Sequence, residues 1–439
     1  MRRKIQRYRW VLVVVALGVA MGLSARLSAQ EPASPQQPGS GMPAVARLTW
    51  DQVKGRFEQN NPTLLADALN VDESKAQEIT AHLRPNPTLG LLSDQITPFN
   101  VGPDHGVLAY LLPSATVSYL YEREHKRDLR LESAKKATGI AESSHADMER
   151  TMLFTLRGAF VSTLQAKAVL KLANDDLEYY DHLLGISRDR FQAGDIAQID
   201  LDRLELQRVQ YESDVQTALV NLRTAKIQLL TLLNDRSPVE QFDVEGVFDF
   251  SEQLLPQDDF RKIALGTRPD LKAAMEAVDK AETDHKLAIA NGSTDPTFSF
   301  DVGRNPPIDL YFGVGVSIPL RIFDRNQGEK LRTKLDIDRN KRLLDAAQAQ
   351  VYSDVDSAYA TVSSNVTLLR PYKAKYLQQA VRVRDTIAFS YQQGGASLLD
   401  FLNAQSEYRA TELNYVNLVG AYLTAAAQLD MAVGREVIQ

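Results

Sequence analysis

Two stretches of this chain carry the same long apolar seam, 200 positions apart. In the first, residues spaced alternately three and four apart read Leu201, Leu204, Arg208, Tyr211, Val215, Ala218, Leu222, Ala225, Leu229 and Leu232, and only Arg208 breaks the apolar series. The same register in the second reads Phe401, Ala404, Tyr408, Thr411, Tyr415, Leu418, Tyr422, Ala425, Leu429 and Ala432. A seven-residue rhythm held this long requires helices that lie side by side along most of their length. The many Ala and Tyr positions predict close packing of several helices, unlike a plain Leu zipper.

The seam belongs to a longer echo. Phe191-Gln192-Ala193-Gly194 ahead of Asp200-Leu201 returns as Tyr391-Gln392-Gln393-Gly394 ahead of Asp400-Phe401. Asn61-Pro62-Thr63 returns as Arg268-Pro269-Asp270, and Asn86-Pro87-Thr88-Leu89 as Asp295-Pro296-Thr297-Phe298. A unit of roughly 200 residues is far longer than a solenoid repeat, so the pattern predicts an internal two-fold copy over 47–250 and 251–439. Each copy places a second helical stretch before its seam, at about 124–190 and 324–392, with the seam helices at 198–234 and 398–434. At 1.5 Å per residue such a stretch makes a rod of roughly 100 Å. Pro371 should interrupt the second rod, because it lacks the amide donor and clashes one turn back; the first copy has Lys171 there.

Two segments break the helical rule. From Thr297 to Arg304 apolar side chains take every second place; after Asn305-Pro306-Pro307, Leu310, Phe312, Val314, Val316, Ile318 and Leu320 alternate with Tyr311, Gly313, Gly315, Ser317 and Pro319. This predicts a hairpin over about 296–320 with one apolar and one small or polar face. The first copy offers a vaguer counterpart over about 87–121, joined through the segment 98–106. Strands of about ten residues suit an outer-membrane barrel. Four strands cannot close one, since about eight are the practical minimum, and an open sheet in lipid leaves its edges unsatisfied. Either the hairpins cover a soluble core or several chains pool their strands; three chains would supply twelve.

Met1-Arg2-Arg3-Lys4 through Arg9 is basic, Val11 to Ala20 is apolar, and Leu27-Ser28-Ala29 offers a small-x-small cleavage site. Residues 1–29 therefore read as a signal peptide. The alternative is a membrane anchor, for which the apolar run is about half the roughly 20 residues required. Residues 30–46, rich in Pro and Gly, read as a flexible leader. No later stretch reads as a transmembrane helix, so the mature chain is expected to be soluble or to span by strands. The chain has no cysteine, which excludes disulfides, thiolate metal sites, thiol catalysis and an acylated N-terminal cysteine. A net charge of −6 argues against nucleic acid as a partner.

At this point the residues resemble the TolC-type outer-membrane efflux family, in particular its heavy-metal and multidrug branch. The resemblance covers about 47–436. Leu48-Thr49-Trp50-Asp51 through Asn60-Asn61-Pro62 is similar to the family's opening helix, and Leu83-Arg84-Pro85-Asn86-Pro87 to its lead into the first strand. Ser317-Ile318-Pro319-Leu320 through Phe323-Asp324-Arg325-Asn326-Gln327-Gly328 resembles the passage from barrel to second rod, and Tyr391-Gln392-Gln393-Gly394 to Leu399-Asp400 the helix-tip motif. The resemblance implies a mainly α chain with a membrane β part. Three copies would form a twelve-stranded outer-membrane β-barrel, four strands per chain, continued by a periplasmic α-barrel of long antiparallel coiled-coil helices. It also implies an exit duct served by a periplasmic adaptor and an inner-membrane pump, embedded in outer-membrane lipid, with no cofactor and no catalysis. Other readings stay open: a duct for protein secretion, or a periplasmic coiled-coil scaffold. One departure is His125-Lys126-Arg127, where the family often has Gly-Gly-Lys-Arg, and this predicts a looser turn from barrel to helix.

The resemblance also marks the helix tips at 191–203 and 391–403. Asp400 falls where the family places an acidic ring at the tunnel entrance, while Asn403 stands at a second position that is acidic elsewhere; Asp200 and Arg203 are their counterparts in the first copy. A ring of carboxylates at a narrow mouth attracts cations and repels anions. Locally, Ser397-Leu398-Leu399-Asp400 also reads as a capping box, with Asp195-Ile196-Ala197-Gln198 as its counterpart. Gly194 and Gly394 read as turn residues, and with Gly395 and Tyr391 they are the expected adaptor contacts. The six histidines (His82, His105, His125, His145, His182, His285) show no metal-ligand spacing, and only Asp104-His105 forms a pair worth testing. Basic runs follow both hairpins, from Arg123 to Lys136 and from Arg321 to Lys334; they read as solvated helix starts or as a positive collar below a membrane.

Overall fold

The computed structural model describes residues 46–96, 111–305 and 307–438. The expected signal peptide, nearly all of the leader, and the 98–106 loop with Asp104-His105 lie outside the described residues. A short strand β1 (Ala46–Leu48) leads into helices α1 (Trp50–Asn60) and α2 (Pro62–His82). A hairpin of β2 (Thr88–Asp94) and β3 (Leu112–Leu120) follows, then α3 (Lys126–Gln192), α4 (Gln198–Leu232) and a strand β4 (Phe242–Val244) that pairs in parallel with β1. The second half supplies α5 (Gln257–Thr267), α6 (Pro269–Ala290), β5 (Thr297–Asn305), β6 (Ile308–Ser317), α7 (Gln327–Pro371), α8 (Leu377–Gln392) and α9 (Leu398–Val433).

Local chemistry sets the helix boundaries in each half. Asn61 closes α1 and caps α2, accepting from the Thr63 and Leu64 amides at 3.0 Å, while Pro62 takes the first helical position where no donor is needed. Its side-chain amide then donates to Leu232 O at 2.9 Å, fixing the start of α2 to the end of α4. Arg268, before Pro269, is placed alike: its buried guanidinium reaches Ala432 O at 3.3 Å near the end of α9, and pairs with Asp354 and Asp270.

The 67 residues of α3 run without a break, about 100 Å at 1.5 Å per residue. Pro371 does not end the matching rod. A five-residue π turn, Tyr372–Tyr376, follows it, and α8 continues beyond. The wider turn absorbs the lost hydrogen bond, as π-bulges do within long helices. The seams are buried as a coiled coil requires: Leu201, Leu204, Tyr211, Val215, Ala218, Ala225 and Leu229 on α4, and Phe401, Ala404, Tyr408, Tyr422, Ala425, Leu429 and Ala432 on α9. One sequence expectation needs correcting. Helix α9 is long and apolar enough, by length and composition, to cross a membrane. Half of its most apolar window is buried inside the bundle, so its alanines and valines serve helix packing.

The strands form one antiparallel sheet in the order β2-β3-β5-β6. Its central pairing joins the two halves, with Ala115 opposite Val302, Val117 opposite Phe300 and Tyr119 opposite Phe298. One face collects Leu89, Leu91, Ala115, Val117, Tyr119, Phe298, Phe300, Val302, Phe312, Val314 and Val316. The other carries Gly90, Ser114, Thr116, Ser118, Ser299, Asp301, Gly313 and Gly315. The apolar face is bare in the single chain, with Val314 88% exposed.

The turn into α3 departs from expectation. Without glycine it was predicted to be loose, yet Glu124 and His125 both take left-handed conformations, at φ 57° and 54°. The geometry is the one glycine adopts without penalty, here held by side chains that pay roughly 1–2 kcal/mol per residue. His125→Gly should therefore raise stability by about 0.5–1 kcal/mol after its greater freedom in the unfolded chain is subtracted. A higher thermal midpoint in detergent is the expected reading; a lower one would show the turn to be relaxed.

Candidate functional site

At the end of the bundle away from the sheet, two helical hairpins meet. Gly194 (φ 86°) and Gly394 (φ 76°) stand in the left-handed region just past α3 and α8, where a side chain would be strained. Their amides close the turns on Phe191 O and Tyr391 O, at 2.9 and 3.0 Å. Behind them lies a small core of Tyr180, Leu183, Leu184, Leu201, Leu204, Tyr211, Ala388, Tyr391 and Phe401. Tyr391 and Phe401 stack at 5.1 Å. Arg190 donates to Tyr391 O at 3.0 Å and holds its guanidinium 5.5 Å from the Tyr391 ring, so one tip grips the other.

The two tips differ at their second helices. Ser397 and Asp400 form the expected box: the Asp400 amide donates to Ser397 Oγ at 3.2 Å, and Asp400 Oδ2 accepts from the Ser397 hydroxyl (2.7 Å) and amide (3.2 Å). Asp400 remains exposed at the end of the molecule, as do Asn403, Gly394 and Gly395. The counterpart at Asp195-Ile196-Ala197-Gln198 does not form. Ala197 is the capping residue of α4, and no side chain caps it. Alanine offers no acceptor oxygen, so the first tip lacks the clasp that fixes the second. Asp200 is half-buried there and Arg203 exposed.

A larger charged cluster, unannounced by any motif, lies further along the helices. Arg409 on α9 reaches Asp176 of α3 at 3.4 Å, donates to Asp214 of α4, and lies 4.1 Å from the centre of the Tyr211 ring. Beside it Arg384 of α8 lies over Tyr179 of α3 and Tyr408 of α9, at 4.6 and 4.1 Å. Burial pushes the Asp176 carboxyl up to about 6 even though Arg409 pulls the other way. Sequence offered a faint signal: Asp214 precedes seam residue Val215, where charge is costly, and Arg409 follows seam residue Tyr408.

At the opposite end, where sheet meets helices, Lys126 is 3% exposed and donates to Asp295 Oδ2 at 2.6 Å and Ser293 O at 3.0 Å. Asp295 Oδ1 accepts the Arg123 amide at 3.0 Å. Burial raises the Asp295 carboxyl, but Lys126 and that amide outweigh it and hold it below the usual carboxylate range. Arg130 pairs with Glu122 through both nitrogens. The first basic run is thus partly consumed in fixing the junction. Of the histidines, His145 pairs with Asp67 at 2.8 Å, His285 with Thr333 at 2.9 Å, and His125 with Asp128 at 3.4 Å; His105 lies outside the described residues.

Residues 261–435, the span from α5 to just past α9, match the sequence model of the family described as outer membrane efflux protein. Over that span the second half of the chain is similar to outer membrane efflux proteins. Cobalt-zinc-cadmium resistance protein CzcC of Cupriavidus metallidurans is 22% identical to this chain over 394 residues, 89% of this chain and 91% of CzcC. Outer membrane protein TolC of Escherichia coli is 20% identical over 404 residues, 87% of this chain and 81% of TolC. Among solved structures, CusC superposes with a TM-score of 0.75 at 17% identity, covering 93% of this chain and 99% of CusC. The sheet and the long bundle thus recur in the fold of CusC, and the tips are the far end of that bundle.

Proposed function

We propose that this protein is the outer-membrane exit duct of a tripartite efflux system, passively releasing small molecules or metal ions that an inner-membrane pump and a periplasmic adaptor deliver. The observation that carries the reading is the four-stranded sheet: it has two unpaired edge strands among the described residues, one exposed apolar face, and a rod-like helical bundle at one end. Such a sheet is stable in lipid only when its edges meet those of other copies. Three chains close twelve strands with the Phe298–Val314 face to lipid and the Ser, Thr and Gly face to water. The rods α3 with α4, and α7–α8 with α9, then line a tunnel of six near-equivalent units, as two ancestral copies over 47–250 and 251–439 would supply. Energy comes from the pump, and the duct contributes a path and a gate.

The tips hold the gate. Asp400 from three chains forms the negative mouth, thinned by Asn403, with Asp200 and Arg203 on the neighbouring hairpin; Gly194, Gly394, Gly395 and Tyr391 meet the adaptor. Opening separates packed helices that have two arrangements, a repacking without chemistry. Membrane fractionation and a heat-sensitive trimer on a gel test the duct, and a soluble monomer would sink it. Deleting the gene and measuring sensitivity to metals, dyes and antibiotics identifies the cargo, with metal ions first because CzcC is named for metal resistance. For the gate, Asp400→Ala should weaken cation preference or raise conductance in planar bilayers by about twofold or more at low salt, where charged rings act furthest. If both stay unchanged, Asp400 is only the partner of Ser397.

A further inference from the structure

A charge in the β part has no role in the gate or the junction. Asp301 stands in the middle of β5, on the face of small residues, opposite Thr116 of β3 and Gly313 of β6, with Gly90 beyond Thr116. Its neighbours along the strand, Phe300 and Val302, point to the apolar face. Arg304 is the one basic residue among the described residues of the four strands; it lies beside the bulge that follows Gly303 and pairs with Asp309 at 3.6 Å, so it does not neutralise Asp301. Asp94, on the same face, is at the end of β2 away from the helices.

Glycine shapes how Asp301 is held. A Cβ on Gly313 would overlap the Asp301 carboxylate, so the carboxylate lies down over bare backbone. Its neighbours repeat the arrangement: a Cβ on Gly315 would stand 2.5 Å from Ser299 Oγ, and one on Gly303 would stand 2.9 Å from the Tyr311 ring. Polar side chains on this face are folded against the wall, which leaves the space in front of it open. A carboxylate at mid-strand stays charged only where water reaches it, and the interior of an outer-membrane barrel is such a place.

We propose that Asp301 and its symmetry mates form a second negative ring, inside the membrane barrel, which favours cationic over anionic cargo, and that Gly313 sets how far each carboxylate stands from the wall. The inference rests on the duct reading and narrows its cargo to cations. It is tested with the full-length trimer in planar bilayers under a KCl gradient. Asp301→Asn should lower the cation-to-anion permeability ratio about twofold near 10 mM salt, where the Debye length is about 30 Å, and leave it unchanged at 1 M, where it is about 3 Å. Gly313→Ala, which lifts the carboxylate off the wall, should move the ratio the other way and reduce conductance. Because the chain has no cysteine, Asp301→Cys and Phe300→Cys each introduce a single thiol. A charged, membrane-impermeant thiol reagent should modify Asp301→Cys and spare Phe300→Cys. A conducting channel whose ratio at low salt is unmoved by Asp301→Asn overturns the ring and leaves the duct intact. Modification of Phe300→Cys instead of Asp301→Cys does the same, by reversing the faces. A wild-type protein that neither conducts nor sediments with the outer membrane overturns the duct, and the ring with it.

Discussion

Arg409→Met should loosen the helix bundle near the tips by about 1–3 kcal/mol, less than the roughly 3–5 kcal/mol of a fully buried pair because Arg409 and Asp214 are partly exposed. Its guanidinium bridges α9 to Asp176 on α3 and Asp214 on α4. Without it, two carboxylates share a poorly solvated space and nothing fixes α9 to the first pair of helices. A lower thermal midpoint and a more open channel are expected together, measured in detergent and in planar bilayers. Adding Asp176→Asn and Asp214→Asn to the same protein should recover most of the loss, since the penalty is the unpaired charge and not the lost side-chain volume. A single variant that melts with the wild type would show that the cluster holds nothing.

The same cluster carries a pH dependence. Asp176 has a side chain 12% exposed and a pKa of about 6 against the ordinary 3.8. It faces Arg409 and Glu412 of α9, Arg384 of α8, and Tyr211 and Asp214 of α4. The folded state binds this proton more tightly than the unfolded chain does, so stability falls as pH rises from about 4 through about 6. The span corresponds to about 3 kcal/mol at 1.36 kcal/mol per pKa unit. The tips should therefore hold more firmly at pH 5 than at pH 7, and Asp176→Asn should flatten that part of the profile. A wild-type midpoint that rises steadily from pH 5 to 7, unchanged in Asp176→Asn, contradicts the assignment.

Lys126→Met should cost about 3–5 kcal/mol at the other end of the molecule. Asp295 would keep its place between strand and helix, with only the Arg123 amide left to its carboxylate. Because this carboxyl is held below its ordinary range, the pair contributes stability at neutral pH that is lost as pH falls below about 4. The thermal midpoint in detergent should fall, and Asp295→Asn in the same chain should restore part of the difference. No shift in the thermal midpoint would reduce the pair to an incidental contact.

Much of the fold was legible because it is periodic. The three-four seam announced α4 and α9, and the period-two pattern announced β5 and β6. Asp400 was legible as half of a capping box because Ser397 stands three residues before it. The same reasoning failed at Asp195-Ile196-Ala197-Gln198, since the residue that the chain places at the cap is Ala197 and an alanine cannot accept the hydrogen bond. It failed also at Glu124-His125, where the junction imposes a left-handed turn on residues that do not favour one. The Arg409 cluster left almost no trace: its members come from three helices whose juxtaposition no local spacing encodes.

The sequence alone determined the long seam helices, the second hairpin and the two-fold echo, because helix and strand periods and proline positions act on residues close along the chain. Tertiary structure decided which distant groups share a dielectric. Packing placed Asp176 beside Arg409, Lys126 beside Asp295, and the Asp301 carboxylate over Gly313. Charge and burial at those places depend on neighbours from other helices and strands, and those neighbours are fixed only when the rods and the sheet come together.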